Sequence, residues 1–97
     1  MENQLKQIIE HYGLMKQLKY IHSEYFELDE AIVIREQEGE DISSYTDELE
    51  KHIAEEIADV MVMLEQFRLY YGIDKELIKD LMEYKASRQI ERIEKEG

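Results

Sequence analysis

The sequence predicts an all-α fold, and three observations carry that prediction. None of the 97 residues is proline; β-branched residues never form an alternating run; and Leu, Ile, Glu, Lys, Gln and Met recur at three- and four-residue intervals. Glycines divide the helical pattern into four segments. Gly13 and Gly72 each follow a tyrosine where an apolar periodicity ends, as helix C-terminal glycines do, and Gly39 closes a charged stretch.

The first segment, Glu2 to Tyr12, places Leu5, Ile8, Ile9 and Tyr12 on one stripe. It is short and is expected to dock on the others. The second runs from about Leu14 to Glu38, and Leu14, Leu18, Ile21, Tyr25, Leu28 and Ile32 share one arc of the helical wheel, the pattern of a core helix. The third starts after the Asp41–Thr46 stretch, where Ser44 with Asp47 has capping-box-like spacing and Thr46 is an alternative N-cap, and continues to Tyr71. Leu49, Ile53, Ile57, Val60, Met61, Leu64 and Phe67 form one face of it, while Ala58, Val62 and Leu69 make the opposite side partly apolar. Such a helix is expected to touch neighbours on two sides. The fourth opens at Asp74 as N-cap, carries Leu77, Ile78, Leu81 and Met82, and thins into charge from about Arg88, with an end expected to fray.

Length and a 43% hydrophobic content bound the chain to one domain spanning 1–97. A chain of this size buries only about two-thirds of its unfolded surface, so the core is modest and oligomerisation would help. There is no cysteine, which excludes disulfides and thiolate metal sites. No apolar run approaches the ~20 residues of a membrane span, and Met1–Lys6 does not read as a signal peptide. A soluble, cytoplasmic protein is expected. The formal net charge of −12 is a poor match to the backbone of a long nucleic acid. Small phosphorylated ligands remain compatible, because a divalent cation held by carboxylates reverses the local field.

Two acidic pairs carry the chemistry: Glu24-Tyr-Phe-Glu27 and Glu56-Ile-Ala-Asp59. Residues three apart on a helix lie on nearly the same side, about 4.5 Å apart along the axis, so each pair can present two carboxylates to one point. Two such helices packed together supply four. On the wheel Glu24 falls about 40° from Leu28, inside the apolar arc, and Glu27 lies at its edge. Glu56 falls among Val60, Met63 and Phe67, with Asp59 at the border. A carboxylate among apolar neighbours raises its pKa or demands a cation. Any single Glu in a chain that is 37% charged would be expected to meet a Lys or Arg or to stay solvated, but two pairs in phase with apolar faces point to a metal. All-oxygen donors suit Mg²⁺ or Mn²⁺ rather than zinc. His11, His22 and His52 read as surface or packing residues, and none completes the Glu-x-x-His motif of di-iron bundles.

The string Tyr12-Gly13-Leu14-Met15-Lys16-Gln17-Leu18, then Glu24-x-x-Glu27-Leu28, and later Glu55-Glu56-Ile57-Ala58-Asp59-Val60, resembles the MazG-type all-α nucleoside triphosphate pyrophosphohydrolases. Their pattern is E-x-x-E, a variable spacer, then E-x-x-D; the spacer here is the 28 residues from Leu28 to Glu55, at the long end. The resemblance extends from about Tyr12 to Arg88. It implies a MazG-like bundle with four helices per chain, its four-helix core completed across a homodimer or homotetramer. It also implies Mg²⁺-dependent hydrolysis of a (deoxy)nucleoside triphosphate to monophosphate and pyrophosphate, as housecleaning of the nucleotide pool. Carried over, Glu24, Glu27, Glu56 and Asp59 would bind the metal, Glu27 and Glu24 would be the catalytic carboxylates with Glu27 as base for water, and Gln17, Lys85 and Arg88 would bind the substrate. Tyr84 is a packing tyrosine or a stacking platform for a base. Ser23 stands where many members have a first Glu, and the Asn often found between the C-terminal Lys and Arg is missing from Lys85-Ala-Ser-Arg88. These departures leave the metal quartet intact and favour, as an alternative, a catalytically weak or inactive helical protein acting as a binding or regulatory module.

Overall fold

The computed structural model describes residues 1–38 and 43–97, with side chains described outside 38–46. Four helices account for nearly all of it: α1 (Glu2–Tyr12), α2 (Leu14–Glu38), α3 (Ser43–Tyr70) and α4 (Lys75–Glu96). No strand occurs among the described residues. Gly13 alone separates α1 from α2; its φ of 89° is open to glycine without the Cβ penalty, and its N–H caps the Ile9 carbonyl at 2.8 Å. Gly72, at φ 65°, ends the turn after α3, where Ile73 N–H reaches back to the Arg68 carbonyl at 3.0 Å. Both glycines stand where the sequence places helix ends. Asp74 is the expected N-cap of α4, its Oδ1 accepting from Glu76 N–H at 2.9 Å. The Gly39 expectation lies outside the described residues. Because α3 is already helical at Ser43, Ser44 and Thr46 sit inside its first turn rather than ahead of it.

Helices α2 and α3 pack along their lengths as an antiparallel pair, with Gln17 against Gln66 at one end and Arg35 against Glu50 at the other. α1 lies across them, mainly on α3, through the buried Leu5 and Ile9. Arg68 fastens this corner: its guanidinium donates to Glu65, Glu2 and the Ile73 carbonyl, tying α1, α3 and the following turn together. α4 projects from that turn with no residue buried, and the helix runs on through the charged stretch after Arg88 to Glu96.

The packing of α2 and α3 corrects part of the expected core. The seam buries Gln17 and Ala31 of α2 and Glu56, Met63 and Gln66 of α3. The expected apolar arc of α2 is split, with Leu14, Ile21 and Leu28 half-buried and Leu18, Tyr25 and Ile32 exposed, and on α3 Leu49, Ile53, Val60 and Phe67 are half-buried while Ile57, Met61 and Leu64 are exposed. The reason lies in the spacing. Leu14, Gln17, Ile21, Glu24, Leu28 and Ala31 follow a 3-4-3-4-3 pattern on α2, and Leu49, Ile53, Glu56, Val60, Met63 and Phe67 a 4-3-4-3-4 pattern on α3; these buried and half-buried stripes, apolar residues interspersed with polar ones, form the inter-helix seam. No helix among the described residues is long and apolar enough to cross a membrane.

Candidate metal centre

The seam brings Glu24 and Glu27 of α2 together with Glu56 and Asp59 of α3, and one carboxylate oxygen from each lies within 4.8 Å of the others. Helical geometry does the positioning. Each i, i+3 pair projects from a straight, uninterrupted stretch of its helix, and antiparallel packing sets the two pairs opposite each other. The four differ in surroundings: Glu56 is buried, Glu24 half-buried, and Glu27 and Asp59 exposed at the mouth. Glu24 Oε2 and Glu56 Oε2 are buried without a hydrogen-bond partner. Burial pushes the Glu24 carboxyl above its ordinary value of 4.5, and the charges of Glu27, Asp59 and Glu56 push it further. Glu56 is raised in the same way, by burial first and then by Glu27 and Asp59. The nearest relief is His52, whose Nε2 stands 3.7 Å from Glu56 Oε1.

Two buried, unpartnered oxygens in a quartet of convergent carboxylates are chemically unsatisfied unless protonated or met by a cation. The donor set is all oxygen, and a divalent ion bound there would keep some of its waters, as Mg²⁺ does when held by carboxylates. These residues therefore fit a hard divalent cation. His52 is exposed, and its contact with Glu56 follows from their spacing of one helical turn.

Beside the quartet opens a cleft of about 410 Å³, bounded by Glu24 and Asp59 and walled by Ile8, Tyr12, Tyr20, Val62 and Met63. Gln17 also lines it and is buried. Its Nε2 donates to Gln66 Oε1 at 2.8 Å, and Gln66 Nε2 lies 3.7 Å from Met63 Sδ. Lys16 also borders the cleft, with its ammonium 5.0 Å from the centre of the Tyr12 ring. Gln66, Lys16 and Tyr20 were not singled out from the sequence. Extending the Glu56/Asp59 stripe by one heptad reaches Gln66, and extending Glu24/Glu27 backward reaches Tyr20 and Gln17.

Lys85 and Arg88 are not brought to this cleft. With Gln89 and Arg92 they line a separate shallow depression of about 130 Å³ on α4. Tyr84 is exposed, with the Arg88 guanidinium 5.8 Å from its ring centre.

Fold and site together define an all-α protein with a four-carboxylate centre and an adjoining half-apolar cleft. No family model, curated protein or solved structure matches the chain.

Proposed function

We propose that the protein is a MazG-like, Mg²⁺-dependent nucleoside triphosphate pyrophosphohydrolase that converts a (d)NTP and water to (d)NMP and pyrophosphate, in the manner of nucleotide-pool housecleaning enzymes. The observation that carries this reading is the convergence of Glu24, Glu27, Glu56 and Asp59 beside a cleft with aromatic and amide walls. The spacing of the four acids in the sequence is that of the family pattern, which supports the same conclusion.

Glu24 and Glu56 supply the two buried oxygens that hold the cation side of the site, and Asp59 and Glu27 complete the donor set at its mouth. Glu24, Glu27, Glu56 and Asp59 would hold Mg²⁺, which would supply positive charge against that developing on the phosphates. Glu27, exposed and adjacent, accepts the proton of a water attacking phosphorus in line; the bond to the pyrophosphate oxygen breaks, and pyrophosphate leaves with the electron pair. Tyr12 and Tyr20 offer faces to a nucleobase, and the Gln17–Gln66 amides offer a donor and an acceptor. Lys16 is the cation nearest the cleft mouth and is suited to a phosphate oxygen.

The test is pyrophosphate release from a panel of NTPs and dNTPs with Mg²⁺ or Mn²⁺. Turnover of at least one nucleotide is expected, reduced about 100-fold or more by Glu56→Gln. Absence of turnover across the panel would sink the enzyme reading. A second reading, a binding or regulatory module that keeps the metal centre, is favoured by the separation of Lys85 and Arg88 from the carboxylates. Its signature is saturable metal binding without hydrolysis.

A further inference from the structure

We propose that the cleft selects bases with an amino group at the far edge, cytosine and adenine, over the oxo bases uracil, thymine, guanine and hypoxanthine. Gln17 reads that edge, and Gln66 and Met63 are positioning residues that fix which way the Gln17 amide points. This selectivity presupposes that the cleft holds a nucleotide, and it adds the class of base. Gln17 stands seven residues before Glu24 on α2, and Gln66 seven residues after Asp59 on the antiparallel α3, so the amide pair lies to one side of the quartet, along the cleft. Seven residues of helix span about 10.5 Å along the axis, comparable with the reach of a nucleoside from its 5′ phosphate to the far edge of its base. A nucleotide with its phosphates at the carboxylates therefore brings its base edge to the amides.

Sulfur sets the sense of the pair. Met63 Sδ lies 3.7 Å from Gln66 Nε2 and 4.0 Å from Gln17 Nε2, and a thioether only accepts hydrogen bonds. Both amide nitrogens are drawn to it, which leaves Gln66 Oε1 as acceptor of the 2.8 Å bond from Gln17 Nε2. Turning either amide over sets a carbonyl oxygen against the sulfur or against the other carbonyl. With the Gln17 N–H groups directed at Gln66 Oε1 and Met63 Sδ, its Oε1 is the polar atom left over. Among the described residues the buried side-chain oxygens without a partner are Glu24 Oε2 and Glu56 Oε2, so Gln17 Oε1, which takes no bond, is open to the cleft. Of the donor and acceptor in the pair, the acceptor is the one a base can reach, since Gln66 is 1% exposed.

An acceptor in a cleft walled by Ile8, Val62 and Met63 asks for a donor. The 4-amino group of cytosine and the 6-amino group of adenine supply one. A base with a carbonyl at that place sets oxygen against oxygen, and both acceptors lose their water with nothing in exchange. Cytosine and uracil have nearly the same shape, as do adenine and hypoxanthine, so the discrimination falls on this edge. Tyr12 and Tyr20 stack on either kind of ring and do not contribute to it. The Lys16 ammonium stands over the Tyr12 ring, 5.0 Å from its centre, and is left for a phosphate oxygen.

Calorimetric titration of the full chain with dCMP, dUMP, AMP and IMP in saturating Mg²⁺ tests the proposal without any need for turnover. The expected result is tighter binding of dCMP than dUMP, and of AMP than IMP, by about 10-fold or more, the loss that unpaired buried acceptors bring. Met63→Leu keeps the volume and apolar character of the side chain but removes the sulfur that orients the amides, and both ratios are expected to fall toward one. Gln66→Leu, which frees the Gln17 amide to turn, is expected to do the same and decides alone should Met63→Leu not fold. Equal binding within each pair, preference for the oxo member, wild-type ratios in both variants, or no saturable binding of any of the four overturns the proposal. Selective binding with no pyrophosphate release from any triphosphate overturns the enzyme reading alone; indiscriminate binding with release overturns this proposal alone.

Discussion

Gln66→Leu is the substitution whose cost follows most directly from the geometry. Gln66 is 1% exposed, and its Oε1 accepts the 2.8 Å bond from Gln17 Nε2, itself buried. Leucine removes the acceptor and leaves the Gln17 amide facing Met63 Sδ at 4.0 Å, a poor substitute. A buried donor without a partner costs about 1–3 kcal/mol, and the added apolar surface returns part of it, for a net loss of about 1–2 kcal/mol. For a chain of this size that is a fall in Tm of roughly 5–15 °C. The double variant Gln17→Leu/Gln66→Leu removes donor and acceptor together and is expected to recover most of the loss. Urea denaturation of wild type, both single variants and the double variant gives the coupling. A Gln66→Leu chain as stable as wild type, or a double variant no better than the single, would refute the claim of a buried amide dyad. On the proposed function, the double variant regains stability but not nucleotide affinity, so its KM stays raised.

Further outcomes follow from the same structure. Glu24 and Glu56 have folded-state pKa values above 4.5, so the folded chain binds their protons more tightly than the unfolded chain does. Their contribution to the stability of the metal-free protein is most favourable below pH 4.5 and is lost as pH rises through the raised values. Because a cation takes the deprotonated carboxylates, melts with and without about 10 mM Mg²⁺ are expected to show a stabilisation that grows from pH 4.5 to 7.5; equal shifts at all pH values would contradict this. Ile9→Ala, at a side chain 1% exposed that docks α1 on α3, is expected to cost about 2–5 kcal/mol by urea denaturation. A loss under about 1 kcal/mol would mean that α1 is not packed as described. Arg68→Met is expected to accelerate proteolysis between Tyr70 and Asp74, because it removes the guanidinium bonds to Glu2 and the Ile73 carbonyl.

The helices and the carboxylate quartet were legible because each is written in local spacing. Gly13 and Gly72 mark ends by backbone freedom, Asp74 marks a start by its side-chain acceptor, and an i, i+3 pair must share a side of its helix. Which side faces the neighbour is not a local property. The apolar arc of α2 reads as the core, yet only its Leu14, Ile21 and Leu28 side is half-buried, next to a stripe of Gln17, Glu24 and Ala31, while Leu18, Tyr25 and Ile32 stay exposed. Burying that stripe requires the amide pair and the cation-ready carboxylates to meet across two helices, and no single-helix pattern records that meeting. The same limit hid Gln66, a lone glutamine until Gln17 lies opposite it, and the reach of His52 to Glu56. The basic residues Lys85 and Arg88 illustrate the converse, since a family-like spacing near the chain end does not fix where α4 points.

Calorimetric titration of the metal-free protein with Mg²⁺ and Mn²⁺ tests the central claim most directly, with wild type compared against Glu56→Gln and Asp59→Asn. The account predicts saturable binding to wild type, weakened about 10-fold or more in either variant. Weak, non-saturating heats that are the same in all three proteins would contradict it, because they are the behaviour of dispersed surface acids rather than of four carboxylates gathered to one point.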